Sequence, residues 1–262
     1  MNTILKVLSY QARDVVRSRW LIAYVGFFVL VTDGLLRFSG DPVKAQLSLI
    51  SVVLFLVPLV SIVFGTVYLY NAREFIELLL AQPVNRRQMY GGVYLGLTIP
   101  LALAFVCGLG APFLFRGIDA STGASLTVLL ASGVVLTCIF TAIATLLAIR
   151  CEDRLRGLGA AIGIWMLLTV VYDGVVLFIL AVFADHSLEH ATLGLMLANP
   201  IDIARVTMLL RFDGAAMMGY TGAVFLDFFG KAQGALITLA ALALWVAAPV
   251  MLGLRAFQRK DF

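Results

Sequence analysis

The chain has 262 residues, of which 62% are hydrophobic and 13% are charged. A soluble domain is roughly half apolar and a quarter charged, so this composition excludes an ordinary water-soluble fold and predicts that lipid is the solvent. The net charge of +4 suggests no nucleic-acid partner, because the basic residues lie between apolar runs and form no single basic face. The cysteines Cys107, Cys138 and Cys151 have neither zinc nor redox spacing, and we interpret them as small buried hydrophobic residues.

The first 19 residues are predicted to form an amphipathic helix that lies along the inner membrane surface. Apolar side chains recur there at helical spacing, and Lys6, Arg13 and Arg17 fall outside the apolar stripe. The alternative is that this segment is only a topology signal. The first apolar run begins at Trp20 and has no cleavage site of small residues behind it, so we expect a retained anchor and no signal peptide.

Six apolar runs are long enough to cross a bilayer as helices, for which about 20 residues are needed. Each run is continuous, whereas a spanning strand would alternate apolar and polar residues over about ten positions. The runs lie at residues 20–36, 47–70, 91–115, 125–149, 157–184 and 234–254. The predicted fold is therefore an all-α membrane protein with six transmembrane helices and an N-terminal elbow helix, in a single domain. Its parts are the elbow (1–19), spans one to five (20–184), a long connection (185–233) and the sixth span (234–254).

The basic residues predict the orientation. Of the 19 Lys and Arg residues, 13 lie before the first run, in the second and fourth connections and in the tail, and six lie in the other connections. Connections on the cytoplasmic side carry an excess of Lys and Arg. We therefore expect both termini to be cytoplasmic, which requires an even number of spans and agrees with six.

The second connection, residues 71–87, is predicted to contain a helix that lies across the inner face. Its first turns carry Arg73, Glu74 and Glu77, leucines follow, and Pro83 ends the element. The polar side of such a helix is available to a soluble partner. The fourth connection is short and charged, with Arg150, Glu152, Asp153 and Arg154.

The fifth run carries an acid, Asp173, near its middle. A charge at the bilayer centre costs at least about 2.5–3.5 kcal/mol, so an acid there is a functional candidate. It is expected to be protonated or paired with a hydroxyl such as that of Tyr172 or Thr169. The alternative to a role in the mechanism or cargo path is a satisfied structural acid.

Small residues open the fifth run. Gly159 and Gly163 form a GxxxG pair, and Gly157 lies half a turn earlier. Small faces let helices approach closely in lipid. The three glycines therefore predict either a subunit interface or close packing within one subunit.

The connection at residues 185–233 is long, external and apolar in places. Unstructured connections of more than about 12–15 residues are uncommon, so we expect an ordered platform that docks an external partner. Asn199 and Pro200 are typical of a helix start, with an acid in its first turn. The candidate docking residues are Asn199, Pro200, Asp202, Arg205 and Arg211. The alternative is that this connection only seals the outer mouth of the bundle.

Two histidines, His186 and His190, share a helix face in the same connection, with several methionines nearby. His and Met side chains are suitable copper ligands, but the softness of a ligand atom alone does not select one metal. Methionine also fills gaps at packed surfaces. We therefore assign no metal site and keep these histidines as weak candidates.

Motifs for catalysis are missing from the sequence. No GxxxxGK[ST] phosphate loop, no GxSxG and no HExxH occurs, and the predicted spans hold no nucleophile–base pair. We therefore expect no enzyme and no catalytic residue. A non-transport scaffold and an intramembrane enzyme remain the alternatives from other classes.

The second connection contains Leu79-Leu80-Ala81-Gln82-Pro83-Val84-Asn85-Arg86 after its acids. This stretch resembles the coupling region of ABC-2-type transporter permeases, and the elbow, six spans and long last connection extend the resemblance over the whole chain. Within that family the chain is similar to the permease subunits that serve maturation of nitrous-oxide reductase. The stretches that carry this likeness are 157–161, 165–173 and 197–205.

The resemblance implies a separate cytoplasmic ATPase subunit that binds ATP and Mg²⁺, with no cofactor on this chain. It also implies a second copy of the chain, a periplasmic accessory protein that handles copper, and the bacterial inner membrane. An exporter of lipid, drug or polysaccharide is the alternative within the family. The residues expected to contact the ATPase are Arg73, Glu74, Glu77, Gln82, Pro83, Arg86, Arg87, Arg150, Glu152, Asp153 and Arg154.

Overall fold

The computed structural model of the chain describes residues 11–80, 85–116, 120–183, 189–210 and 232–259. Apart from short turns these residues are helical, and no strand occurs among them. A helical segment at residues 11–17 precedes the first long helix. The helices that follow are α1 (Arg19–Ser39), α2 (Pro42–Asn71), α3 (Arg73–Leu80), α4 (Arg86–Arg116), α5 (Ala120–Arg150), α6 (Arg154–Met166), α7 (Tyr172–Val182), α8 (Glu189–Leu197), α9 (Pro200–Leu209) and α10 (Ala232–Arg259). A π-helical turn, Leu167–Val171, joins α6 to α7.

Six helical stretches are long and apolar enough to cross a membrane, which confirms the predicted number of spans. The shortest has 21 residues, and at about 1.5 Å per residue it still matches a hydrocarbon core of about 30 Å. The fifth span is the stretch Arg154–Val182, which consists of α6, the π turn and α7. Several helices extend beyond the apolar runs to arginines such as Arg86 and Arg150, whose long side chains can reach the membrane surface.

Polar residues at the helix starts explain where four helices begin. Ser18, Asp41, Asp153 and Asn199 each stand at an N-cap, and each side chain accepts a hydrogen bond from the backbone N–H two residues later. Such a bond satisfies one of the donors that a helix start leaves free. Gly40 ends α1 with φ 63°, a left-handed conformation that glycine adopts without strain, and this tight turn leads directly into α2.

The core lies between α1, α2, α4 and α5. Phe28 of α1 and Phe105 of α4 are fully buried and meet edge to face, with ring centroids 5.2 Å apart. Gly108 lets α1 and α4 approach, because a Cβ there would lie 3.1 Å from the carbonyl oxygen of Val25. The fifth span and α10 lie at the edge of the bundle, where few of their side chains are buried.

The alternation of helix directions gives the bundle two ends. The basic end carries the starts of α1, α4 and α6 and the finish of α2, α5 and α10. The opposite end carries the turn from α1 to α2 and the helices α8 and α9. Asp33 lies at the opposite end, where it pairs with Arg37 at 2.7 Å and with Arg116 at 2.8 Å.

Candidate functional site

A short surface helix, α3, lies at the basic end where the sequence predicts a helix across the inner face. It follows α2 after a single residue, Ala72, so the two helices are closely joined. Ile76 faces the bundle and is buried, whereas Glu74 and Leu78 are exposed, Leu78 to 70%. Residues four apart share one helix face, so an acid and a large apolar side chain stand together on the free side of α3.

The fourth connection packs against the start of α3. The Tyr70 hydroxyl donates to the carbonyl oxygen of Cys151 at 2.8 Å, and Arg73 Nη1 donates to the carbonyl oxygen of Glu152 at 3.2 Å. Arg73 Nε also pairs with Glu77 Oε1 at 2.9 Å. The two connections predicted to contact an ATPase are therefore held together.

This arrangement presents one continuous surface, which we call the coupling surface. Its members are exposed side chains from the two connections: Glu74, Leu78, Glu152, Arg154 and Leu155. Glu77 and Arg73 differ from the expectation of free contact residues, because each is engaged within the chain.

The other residues predicted to contact an ATPase differ in their surroundings. Arg86 Nη1 donates to the carbonyl oxygen of Gln258 at 3.0 Å and so ties the start of α4 to the finish of α10. Arg87 and Arg150 are exposed at the same end. Gln82 and Pro83 lie outside the described residues.

The three glycines of the fifth span have different surroundings. A Cβ at Gly157 would collide with the Tyr70 hydroxyl, so this glycine serves packing within the chain. A Cβ at Gly159 or Gly163 would meet nothing within 4 Å. Of these three glycines, Gly159 and Gly163 therefore present a small face to the outside of the subunit, and Gly157 does not.

A second site forms at the opposite end, where α9 packs beside the π turn. The Asn199 side chain accepts from the backbone N–H of Ile201 at 3.0 Å and donates to the carbonyl oxygen of Leu168 at 2.8 Å. Leu168 belongs to the π turn, where the α-helical hydrogen-bond ladder is interrupted. One buried amide thus caps α9 and fastens it to the fifth span.

An ion network surrounds this amide. Arg205 Nη2 lies 2.8 Å from Asp173 Oδ2, and Arg205 Nη1 lies 3.0 Å from Asp202 Oδ1. Asn199 Nδ2 donates to Asp202 Oδ2 at 3.1 Å. The Tyr172 hydroxyl donates to the carbonyl oxygen of Leu195 in α8. We call Asp173, Asn199, Asp202 and Arg205 the acid–arginine cluster.

Burial controls the electrostatics of this cluster. Asp202 is only 4% exposed, and burial raises its pKa to about 6. The Arg205 guanidinium opposes this rise, and the neighbouring Asp173 carboxylate adds to it. The cluster holds two carboxyl groups and one guanidinium, so the charges cancel when one carboxyl group is protonated.

These positions correct two expectations. Asp173 pairs with an arginine and not with the hydroxyl of Tyr172 or Thr169. Its partner Arg205 comes from a helix 32 residues away in sequence. The expected docking residues Asn199, Pro200 and Asp202 are buried and hold α9 to the bundle, so they do not face a partner. Arg205, also expected to dock a partner, is ion-paired, and its side chain is 32% exposed.

Several candidates lie outside the described residues, namely Arg211, His186 and the side chain of His190. Within the described ranges no group of three or more His, Cys, Asp or Glu residues is placed to hold a metal ion.

Comparison with known proteins finds matches over nearly the whole chain. A family model described as ABC-2 family transporter protein matches residues 5–262. A probable ABC transporter permease protein NosY of Pseudomonas aeruginosa is 28% identical to the chain, and the alignment covers 99% of each protein. A protein of the same description from Stutzerimonas stutzeri is 27% identical, again over 99% of each. The aligned region therefore spans both the coupling surface and the acid–arginine cluster.

Proposed function

The chain belongs to the ABC-2 family of transporter proteins, as a multi-pass membrane permease, and from this we propose that it converts ATP hydrolysis on a separate cytoplasmic subunit into movement of its spans. The proposed process is copper-site maturation of nitrous-oxide reductase, in a bacterial inner membrane. ATP and Mg²⁺ belong to the ATPase subunit in this proposal, and this chain supplies no catalytic residue.

The coupling surface is the observation that carries the proposal. Exposed Leu78, one helical turn after the acid Glu74, offers an apolar anchor on a surface that also carries the charges of Glu152 and Arg154. Interfaces are commonly organised in this way, with a desolvated apolar centre inside a polar rim. A soluble ATPase subunit is the partner that the family membership favours.

The contacts behind this surface explain how a push on α3 would reach the spans. Only Ala72 separates α3 from α2, and Tyr70 and Arg73 bind the backbone that leads into the fifth span. Packed elements respond to a load as rigid bodies because close-packed interiors have low compressibility. Movement of α3 would therefore shift the second and fifth spans together.

A second copy of the chain is the proposed neighbour of the fifth span. Gly159 and Gly163 leave an open small face, and large apolar side chains such as Ile162 and Met166 are exposed along the same helix. Small residues on a spanning helix favour close helix–helix contact in lipid. A homodimer would also provide one coupling surface for each of two ATPase subunits.

The names of the relatives support the more specific process. Both similar proteins are described as NosY permeases, and the alignments leave almost no part of either chain unmatched. We therefore propose that the chain works with a periplasmic accessory protein that handles copper. Transport of lipid, drug or polysaccharide is the alternative that the wider family allows.

The proposal is tested at the coupling surface with a double variant, Glu74→Lys and Leu78→Glu, co-expressed with the ATPase subunit. We expect loss of ATPase co-purification and of permease-stimulated ATP hydrolysis. Glu74→Lys reverses a charge on the coupling surface, and Leu78→Glu places a charge where the proposed apolar anchor would be buried by the partner. Lys44→Glu, an exposed charge reversal at the opposite end, is the control and should keep both. Unchanged capture and stimulation by the double variant would defeat the proposed coupling.

A further inference from the structure

We propose that the acid–arginine cluster is a proton-binding site that controls whether α9 stays docked on the fifth span. One proton bound between Asp173 and Asp202 would fix α9 in place, and loss of that proton would weaken the contact. The inference concerns the chain's own helices and does not require an ATPase partner.

The charge count of the cluster is the first argument. Arg205 contacts both carboxyl groups through different nitrogens, so its single positive charge faces two acids. Unbalanced charge is costly away from water, and a buried group relieves that cost by changing its protonation state. One proton brings the cluster to neutrality.

The geometry identifies Asp202 as the group that takes the proton. Asp202 is nearly fully buried, whereas the Asp173 side chain is 32% exposed. Asp202 Oδ2 accepts from Asn199, but Oδ1 accepts no hydrogen bond from any described residue, although Arg205 Nη1 lies 3.0 Å away. The neighbouring Asp173 carboxylate raises the pKa of Asp202 through both its charge and a side-chain hydrogen bond, so a proton held by Asp202 has an acceptor in Asp173.

Few other charged groups compete for this proton. Asp202 has three ionisable neighbours: Asp173, Arg205 and Tyr172 of the fifth span. The helices α2, α5 and α10 also pack against α9. Among their described side chains, the one charged group at this end of the bundle is Lys44, which is exposed. Glu189 and His190 begin α8, and their side chains lie outside the described set.

Linkage gives the direction of the effect. The pKa of Asp202 rises from an ordinary 3.8 to about 6 when α9 is docked, so the docked state binds the proton more tightly than a solvated one. Docking is therefore favoured below pH 6 and is progressively weakened as the pH rises through 6. Between pH 7 and pH 5 the ratio of docked to free α9 should increase about tenfold.

Release of α9 would change the fifth span itself. Docked α9 supplies the Asn199 amide to the carbonyl oxygen of Leu168, which stabilises the π turn. Undocking removes that donor and the Arg205 pair at the same time. The cluster thus links the protonation of Asp202 to the conformation of the span that begins beside the coupling surface.

The test uses the full chain in lipid nanodiscs, with its three cysteines replaced and spin labels at Thr207 of α9 and Val175 of the fifth span. Distances are measured by double electron–electron resonance at pH 5, 6 and 7. We expect a longer, undocked distance whose share grows with pH, with a docked-to-free ratio about tenfold lower at pH 7 than at pH 5. A single distance that does not change over this range would overturn the proposal.

Two variants separate this site from other titrating groups. Asp202→Asn mimics the protonated acid and should give the docked distance at every pH. Asp173→Asn removes one of the two competing carboxylates and should move the transition to lower pH. A wild-type pH dependence in Asp202→Asn, or an unchanged transition in Asp173→Asn, would show that the proton binds elsewhere and would also overturn the proposal.

Discussion

Asp173 of the fifth span and Arg205 of α9 form an ion pair with 2.8 Å between Oδ2 and Nη2. Both side chains are about one third exposed, so the pair lies at the edge of the bundle. An acid in a spanning segment is costly alone, and Arg205 gives it a partner whose planar guanidinium also contacts Asp202. The pair therefore explains how the fifth span tolerates Asp173 and why α9 packs where it does.

The pair predicts a measurable coupling energy between its two residues. Arg205→Gln should lower stability by about 1–2 kcal/mol, because it leaves two acids without their cation. The double variant with Asp173→Asn should recover part of that loss, since one unpaired acid is also removed. Thermal unfolding of both single variants and the double variant completes the cycle, and strictly additive losses would contradict the pairing.

Gly157 is predicted to be intolerant of even one added methyl group. Gly157→Ala places a Cβ against the Tyr70 hydroxyl, and overpacking of this kind typically costs about 1–3 kcal/mol. We expect a lower melting temperature and weaker ATPase stimulation, because Tyr70 holds the fourth connection. Gly26→Ala in the first span is the matched control, and should be neutral or slightly stabilising because a Cβ there meets nothing within 4 Å. Equal behaviour of the two variants would refute this account of the packing.

The open glycine face predicts the site of self-association. Gly163→Leu should reduce the dimer fraction, because a large side chain blocks close approach of a second helix. Gly91→Leu in α4, where a Cβ also meets nothing within 4 Å, is the control for added bulk. Cross-linking in native membranes measures the dimer. A dimer that survives Gly163→Leu unchanged would place the second copy on another face.

The orientation is predicted to put the basic end in the cytoplasm. Asn85 and Lys44 are exposed at the two ends of the bundle, so each can be replaced by a single cysteine in a chain without its own cysteines. An impermeant thiol reagent added to spheroplasts should label the Lys44 position and spare the Asn85 position, since the positive-inside rule places the basic end within the cell. The reverse labelling pattern would also remove the coupling surface from reach of a cytoplasmic ATPase.

The sequence predicted the six spans because hydropathy is a local property that accumulates along each helix. It also singled out Asp173, because the cost of a charge in lipid does not depend on the rest of the fold. The partner of that acid was missed, since the Asp173–Arg205 pair joins two segments whose packing depends on the π turn and on the path of α8. The contact between Gly157 and Tyr70 was missed for the same reason, because the spacing of small residues does not indicate which neighbour fills the space.

The last prediction separates the two tasks of Asn199, whose oxygen caps α9 while its nitrogen binds the carbonyl oxygen of Leu168. Asn199→Ser keeps a side-chain oxygen for the cap but is too short to reach Leu168, whereas Asn199→Ala loses the cap as well. Both variants also lose the bond from Asn199 Nδ2 to Asp202 Oδ2. Loss of the cap should cost about 1 kcal/mol, and loss of the buried link about 1–3 kcal/mol.

Hydrogen–deuterium exchange in nanodiscs distinguishes these effects of Asn199, because it measures α9 and the fifth span separately. In Asn199→Ser we expect faster exchange of the amides around the π turn, with the first turn of α9 still protected, because the cap is kept and the bonds of the amide nitrogen to Leu168 and Asp202 are lost. In Asn199→Ala the first turn of α9 should also exchange faster. Since α9 then lacks both its cap and its attachment, the Ala variant should be the less stable by about 1 kcal/mol. Wild-type exchange around the π turn in both variants would mean that Leu168 does not depend on Asn199, and that the fifth span keeps its π turn without help from α9.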